Sequence, residues 1–220
     1  MCYNNRMTNF KLKLLIYFAA ISASALLISN LAAIKLWDFF GIAVDGGIVV
    51  FPLTYIIGDL IVEFYGKKTA KTIIYAGFLI NITAILVFYI VIALPAYEGW
   101  EMQSAYSDIF GFTPRIIIGS LMAFVCSNIF NNYIFTRLKN GSGLFANSFI
   151  ARALGSSAFA HIIDCIIFET IAFLGVLPLQ AFLVQAGFAY ILGMGFELLF
   201  APLESLIANK LRGRLTDDSI

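Results

Sequence analysis

The sequence predicts an all-α, polytopic membrane protein with six transmembrane helices, and three observations carry that prediction. Hydrophobic residues fill 61% of the 220 positions and charged residues only 12%, where a soluble domain carries about 25% charge. Apolar stretches of spanning length recur from one end of the chain to the other. Lysine and arginine then fall almost wholly on one side of the membrane that those stretches imply.

The stretches lie at about 12–36, 47–66, 69–94, 114–138, 149–177 and 181–208. Lipid offers the backbone no hydrogen-bond partners, so a spanning segment is a helix or part of a closed barrel. These runs are continuous and do not alternate, which selects helices. Arg6, Lys11 and Lys13 ahead of the first run, with Ala23-Ser24-Ala25 inside it, imitate a secretory leader. The run continues to Leu36, however, so it is read as a first spanning helix. With the N-terminus placed in the cytoplasm, the inner segments hold Arg6, Lys11, Lys13, Lys67, Lys68, Lys71, Arg137, Lys139, Arg152, Lys210, Arg212 and Arg214. The outer segments hold only Lys35 and Arg115, and they collect Asp38, Asp45, Glu98, Glu101 and Asp108. Six helices with both termini cytoplasmic is the count that partitions charge this cleanly. The whole chain, 1–220, reads as a single integral membrane domain.

Several function classes fall away. No Walker motif or glycine-rich phosphate loop is present, so the chain does not hydrolyse ATP by itself, and no basic patch marks it for nucleic acid. Cys2, Cys126 and Cys165 have neither metal-ligand nor CxxC spacing, and the last two read as packing residues. A single histidine without a second His or Cys nearby predicts no metal site, and no cofactor is expected. Ser156, Ser157 and His161 share a helix, a spacing too common to indicate catalysis, so no enzyme is predicted. The longest connection, Pro95–Thr113, carries Trp100 and Tyr106 and is expected near the lipid headgroups, as a connector or as a lid.

What remains unexplained is polarity at mid-depth. An ionisable side chain inside a membrane helix costs about 2.5–3.5 kcal/mol on insertion scales and persists where it meets a cavity or a partner. Asn81, Asn128, Asp164 and Glu197 all fall near the centres of their segments, with Asn131, Asn132 and His161 close by and Glu169 further out. The ordinary reading of each is a hydrogen bond to a neighbouring helix, worth about 0.6 kcal/mol. Acids and amides gathered at one depth instead predict a central substrate site. His161 and Asp164, at i and i+3, share a helix face.

In the second segment Pro52 interrupts the apolar run behind a flexible "VDGG", and is expected to break or bend the helix at a binding site or gate. Phe51, Tyr55 and Asp59 follow at i, i+4 and i+8, one stripe facing away from lipid. Glu63 and Lys67 continue it as an acid–base pair in the favoured order. Asp59 is the deeper, buried acid, with Arg152 as a candidate partner across the bundle.

The motifs are specific enough for a resemblance. "SNLAAIK" (Ser29–Lys35), "FPLTYIIGDLIVEFYGKKTA" (Phe51–Ala70), "SNIFNNYIF" (Ser127–Phe135), "RALGSSAFAHIIDCIIFETIAFLG" (Arg152–Gly175) and "ELLFAPLE" (Glu197–Glu204) run almost end to end. They resemble the queuosine precursor transporter family, also called the vitamin uptake transporter family, small proteins of six membrane helices. The chain departs from it at His161, where a glutamine is expected, and near Gly193, where a lysine is. The resemblance implies import across the bacterial inner membrane of a 7-deazaguanine base: the cyano or aminomethyl precursor, or queuine. The chain would act as a multi-pass homodimer or, alternatively, as the substrate-binding subunit of an energy-coupled importer. The implied substrate contacts are Asn30, Phe51, Tyr55, Asp59, Asn128, Asn132, His161, Asp164 and Glu197, with Phe168 a further candidate to stack on the ring. Asp164 is first choice, and Glu197 second, to accept the N1–H and exocyclic amine of the base.

Overall fold

A computed structural model describes residues 9–139, 141, 143 and 149–217. The chain runs α1 (Asn9–Ala32), β1 (Leu36–Phe39), β2 (Ile42–Asp45), a 3-10 turn (Gly46–Val49), α2 (Phe51–Ala93), α3 (Gln103–Lys139), α4 (Phe149–Phe173) and α5 (Leu179–Asp217). It is a predominantly helical membrane protein. Among the described residues, four helices are long and apolar enough to cross a bilayer: Asn9–Ala32, Ile56–Ala93, Gln103–Asn131 and Leu179–Phe200.

α2 is two helical limbs. Gly66 has φ 81 and ψ 164, a conformation that glycine reaches without the steric cost a Cβ would add. The break falls within one residue of the boundary that the apolar pattern predicts, and Lys67 and Lys68 beyond it are exposed. The break lies between Glu63 and Lys67, so the two do not sit on one continuous helix.

A small hairpin interrupts the otherwise all-helical fold. β1 and β2 pair antiparallel from Leu36↔Asp45 to Phe39↔Ile42. Phe40 and Gly41 both have positive φ (52 and 84), the geometry that joins two strands with matching twist. The Asp38 carboxylate accepts the Gly41 N–H at 3.0 Å. Residues 33–36 were expected to continue the first helix, and apolarity alone cannot distinguish a helix end from a short strand.

Behind the hairpin, "VDGG" is compact rather than flexible. A Cβ on Gly46 would lie 2.5 Å from the Ala32 carbonyl oxygen, and one on Gly47 would lie 2.9 Å from that of Ser29. The two glycines let the 3-10 turn press onto the end of α1. Pro52 follows in the first turn of α2, where its missing N–H has no intrahelical acceptor to lose. It starts a helix and does not break one. The outer connection is likewise shorter than expected. α3 begins at Gln103 and runs on through Pro114, and ring contacts Phe88–Phe110 (4.3 Å) and Tyr106–Phe110 (4.5 Å) join its start to the end of α2.

Two apolar clusters bracket the bundle. Phe18, Ile57, Leu60, Ile61, Ala70 and Ile73 form one, with Ile207 and Leu211 of α5 against it. Ala33, Ile116, Ala172, Phe173 and Phe182 form the other. There Arg115 donates to the carbonyl oxygens of Ile171 and Leu174, closing the end of α4 with a cation where the helix dipole is negative.

Candidate functional site

A cavity of about 510 Å³ opens between α1, the 3-10 turn, α2, α3 and α4, with Ala189 of α5 at its edge. It reaches Ile73 of the first apolar cluster and Ala33 of the second. Its size lies within the range of about 300–1,000 Å³ typical of small-molecule sites. Its polar lining is Ser22, Ser29, Asn30, Asp45, Thr54, Asp59, Ser120, Ser127, His161, Asp164 and Glu169, and its rings are Phe78, Phe124 and Phe168. No lysine or arginine is among these residues.

Each acid is positioned differently. Asp45 ends β2 and caps the 3-10 turn, accepting the Gly47 N–H at 2.9 Å. Burial pushes its carboxyl up to about 6, against the backbone amides of Gly47, Asp45 and Ile48, which pull it down. Asp164 comes from α4, where Ser127 of α3 is its hydrogen-bond partner. The same Ser127 hydroxyl reaches the Phe124 carbonyl oxygen at 3.2 Å; it has one proton, so it serves one acceptor at a time. Glu169 lies five residues further on and is 1% exposed. Its Oε2 accepts from Gln185 Nε2 of α5 at 2.9 Å, while Gln185 Oε1 is buried without a partner. Asp45, Asp164, Cys165 and Glu169 all line the cavity and form one polar wall.

Of the residues expected from sequence, Asn30, Asp59, His161 and Asp164 line this cavity. Asn30 is also structural: its Nδ2 donates to Asn81 Oδ1 at 2.9 Å, and Asn81 Nδ2 donates to the Gly77 carbonyl oxygen. Asn81 therefore has the ordinary role of tying two helices together. Asp59 borders the cavity but is exposed, which corrects its expected burial. Asn128 is not among the lining residues; its amide donates to the Phe124 carbonyl oxygen of its own helix at 2.8 Å. The side chains of Phe51, Pro52, Tyr55, Asn132, Arg152 and Glu197 lie outside the described part of the structure. Among the described residues, no group of three His, Cys, Asp or Glu side chains is placed to hold a metal ion.

Sequence reasoning missed Asp45 and Glu169 as members of the site. Asp45 looked like an outer-loop acid because the hairpin that carries it was not foreseen. Glu169 had a usable signal, a carboxylate in an apolar helix five residues from Asp164, but its distance from mid-depth removed it.

The family described as "Putative vitamin uptake transporter" matches residues 45–207, most of the chain and all of the cavity's acids. The chain belongs to this family. Membership gives it a transporter role. It is 28% identical over 176 residues to the "Probable queuosine precursor transporter" of Bacillus subtilis (strain 168), covering 79% of this chain and 76% of that protein. It is 25% identical over 189 residues to the "Queuosine precursor transporter" of Escherichia coli (strain K12), covering 83% and 80%. A "Probable queuosine precursor transporter" of Haemophilus influenzae is 28% identical over 130 residues, 58% of this chain and 51% of that one. No solved structure matches the chain.

Proposed function

We propose that the chain imports a 7-deazaguanine precursor of queuosine across the bacterial inner membrane. It does so as a multi-pass homodimer, with six helical limbs spanning and both termini cytoplasmic. The observation that carries the substrate class is the cavity's composition: carboxylates beside aromatic rings, with no lysine or arginine among the described lining residues. A guanine-like edge presents N1–H and an exocyclic amine as adjacent donors, and one carboxylate accepts both. Asp164 takes that role, because it lines the cavity from mid-helix and Ser127 orients it from α3. Phe168 lies one turn further along α4, and Phe78 and Phe124, whose rings are 5.4 Å apart, offer a second flat surface. Stacking on such rings is worth about 1–3 kcal/mol per base in nucleic-acid binders. Asp59 stands at the exposed border, where an incoming base would meet it first. The names of the relatives point to the same substrates.

Uptake of the cyano and aminomethyl bases and of queuine, in bacteria lacking their own transporter, tests the reading. The wild-type chain is expected to restore uptake of at least one base. Asp164→Asn puts an amide donor where an acceptor is needed and should lower uptake by about 10- to 100-fold, the cost of a hydrogen bond to a charged group. Uptake of none of the three, or full activity in Asp164→Asn, rejects it.

A further inference from the structure

The chain has one histidine, and the structure seats it in a notch. His161 projects from α4 onto the cavity wall, half-buried. An ideal Cβ built on Gly193 of α5 would stand 2.2 Å from His161 Nε2 and 2.7 Å from its Cε1. The imidazole thus fills the space that any other residue at 193 would need. Gly193 is buried yet does not line the cavity itself. Tyr190, three residues earlier on the same face of α5, flanks the ring with centroids 5.4 Å apart and planes inclined at 32°. Cys165 Sγ, one turn along α4, lies 3.7 Å from Nε2. Bare backbone forms the floor of the notch, Tyr190 and Cys165 border it, and the cavity lies on the ring's open side.

From this geometry we infer that Gly193 is a positioning residue for substrate selection: it lets His161 withdraw into α5 and so sets how large a substituent the cavity admits. A side chain at 193 displaces the ring. Displacement is easy, because the clash falls on the far end of a rotatable side chain. With Tyr190 and Cys165 bordering the notch, the ring moves toward the cavity. The ligand side of the inference rests on the proposed function, since it assumes that the cavity holds a substituted 7-deazaguanine.

The test compares purified wild type with Gly193→Ala, His161→Ala, Gly193→Ala/His161→Ala and, as a control on the same helix, Gly195→Ala, whose added Cβ meets nothing within 4 Å. Queuine, with the bulkiest 7-substituent, should bind Gly193→Ala at least about tenfold more weakly, and the cyano base less than about threefold, which is the scale of steric discrimination in a pocket. Once the ring is gone a side chain at 193 has nothing to displace, so the double variant should bind queuine as a His161→Ala single variant does, and Gly195→Ala should match wild type. A second readout needs no ligand: the sole imidazole gives an unambiguous resonance, which should shift in Gly193→Ala and stay put in Gly195→Ala. If wild type binds none of the bases, the substrate reading fails, and the resonance still decides the pair. An unmoved resonance overturns the inference, as does a moved resonance with unchanged selectivity. Should Gly193→Ala not fold, the double variant must fold and bind queuine as His161→Ala does, and its failure to do either overturns the notch.

Discussion

Asp59 and Glu63 on α2, and Asp164 and Glu169 on α4, are the same kind of intrusion: two carboxylates a helical turn or so apart in a helix built mainly for lipid. On α2 both acids are exposed. On α4 Asp164 is half-buried and Glu169 is 1% exposed. Covering elements make the difference. The first limb of α2 buries Ile57, Leu60 and Ile61 against Phe18 of α1. At 100° per residue, that places Asp59 and Glu63 on the far side of the helix. α4 is covered by α3 at Ser127 and by α5 at Gln185, so its acids point into protein. Acids in apolar helices therefore do not share one meaning. Only the neighbours determine which of them point into protein.

The sharpest way to break the comparison is to remove such a neighbour. Gln185→Leu strands the Glu169 carboxylate in a buried site, and the expected loss is roughly 3 kcal/mol, read as a lower unfolding temperature in detergent. The double variant Gln185→Leu/Glu169→Leu should recover most of it. If the single variant is as stable as wild type, Glu169 does not depend on the pairing.

A comparable effect comes from Asp45. Its ordinary carboxyl value is 3.8, and burial raises it to about 6 in the folded chain. Below the lower value both folded and unfolded chains hold the proton, so burial adds no pH-dependent cost. Between the two the unfolded chain releases its proton first, and stability falls as pH rises, by about 3 kcal/mol in all. Above about 6 the loss is complete. Unfolding temperatures across this window should therefore slope downward more in wild type than in Asp45→Asn, and equal slopes would sink the assignment.

The smallest effect sharpens the other side of the comparison. Asp59→Asn is expected to change stability by less than about 0.5 kcal/mol, as for an exposed position. If it binds the base, uptake still falls. A variant with lowered uptake and unchanged unfolding temperature separates a contact at the cavity border from a structural role. A large stability loss would place Asp59 with the acids of α4.

Much of this was legible in the residues. The apolar runs marked each helix and the break at Gly66, because a chain in lipid must satisfy its backbone within each segment, but they missed the more polar extensions at the start of α3 and the end of α5. Asp59, His161 and Asp164 were legible as cavity residues, because polar groups in such runs are costly and need a reason, and Asn30 came from the resemblance alone. The hairpin was not, since four-residue strands of apolar character look like the ends of helices, and Asp45 was hidden with it. The close packing of Gly46 and Gly47 was not legible either, because glycine serves flexibility and close approach with the same letter.

Composition and charge bias by themselves determined a helical membrane protein, because lipid imposes length and polarity on every segment independently of its neighbours. Tertiary structure alone decided which acids share a wall, that Glu169 is held by Gln185, and that the one histidine rests against Gly193. Those are relations between segments far apart in the chain, and they are set by which faces meet when the helices come together.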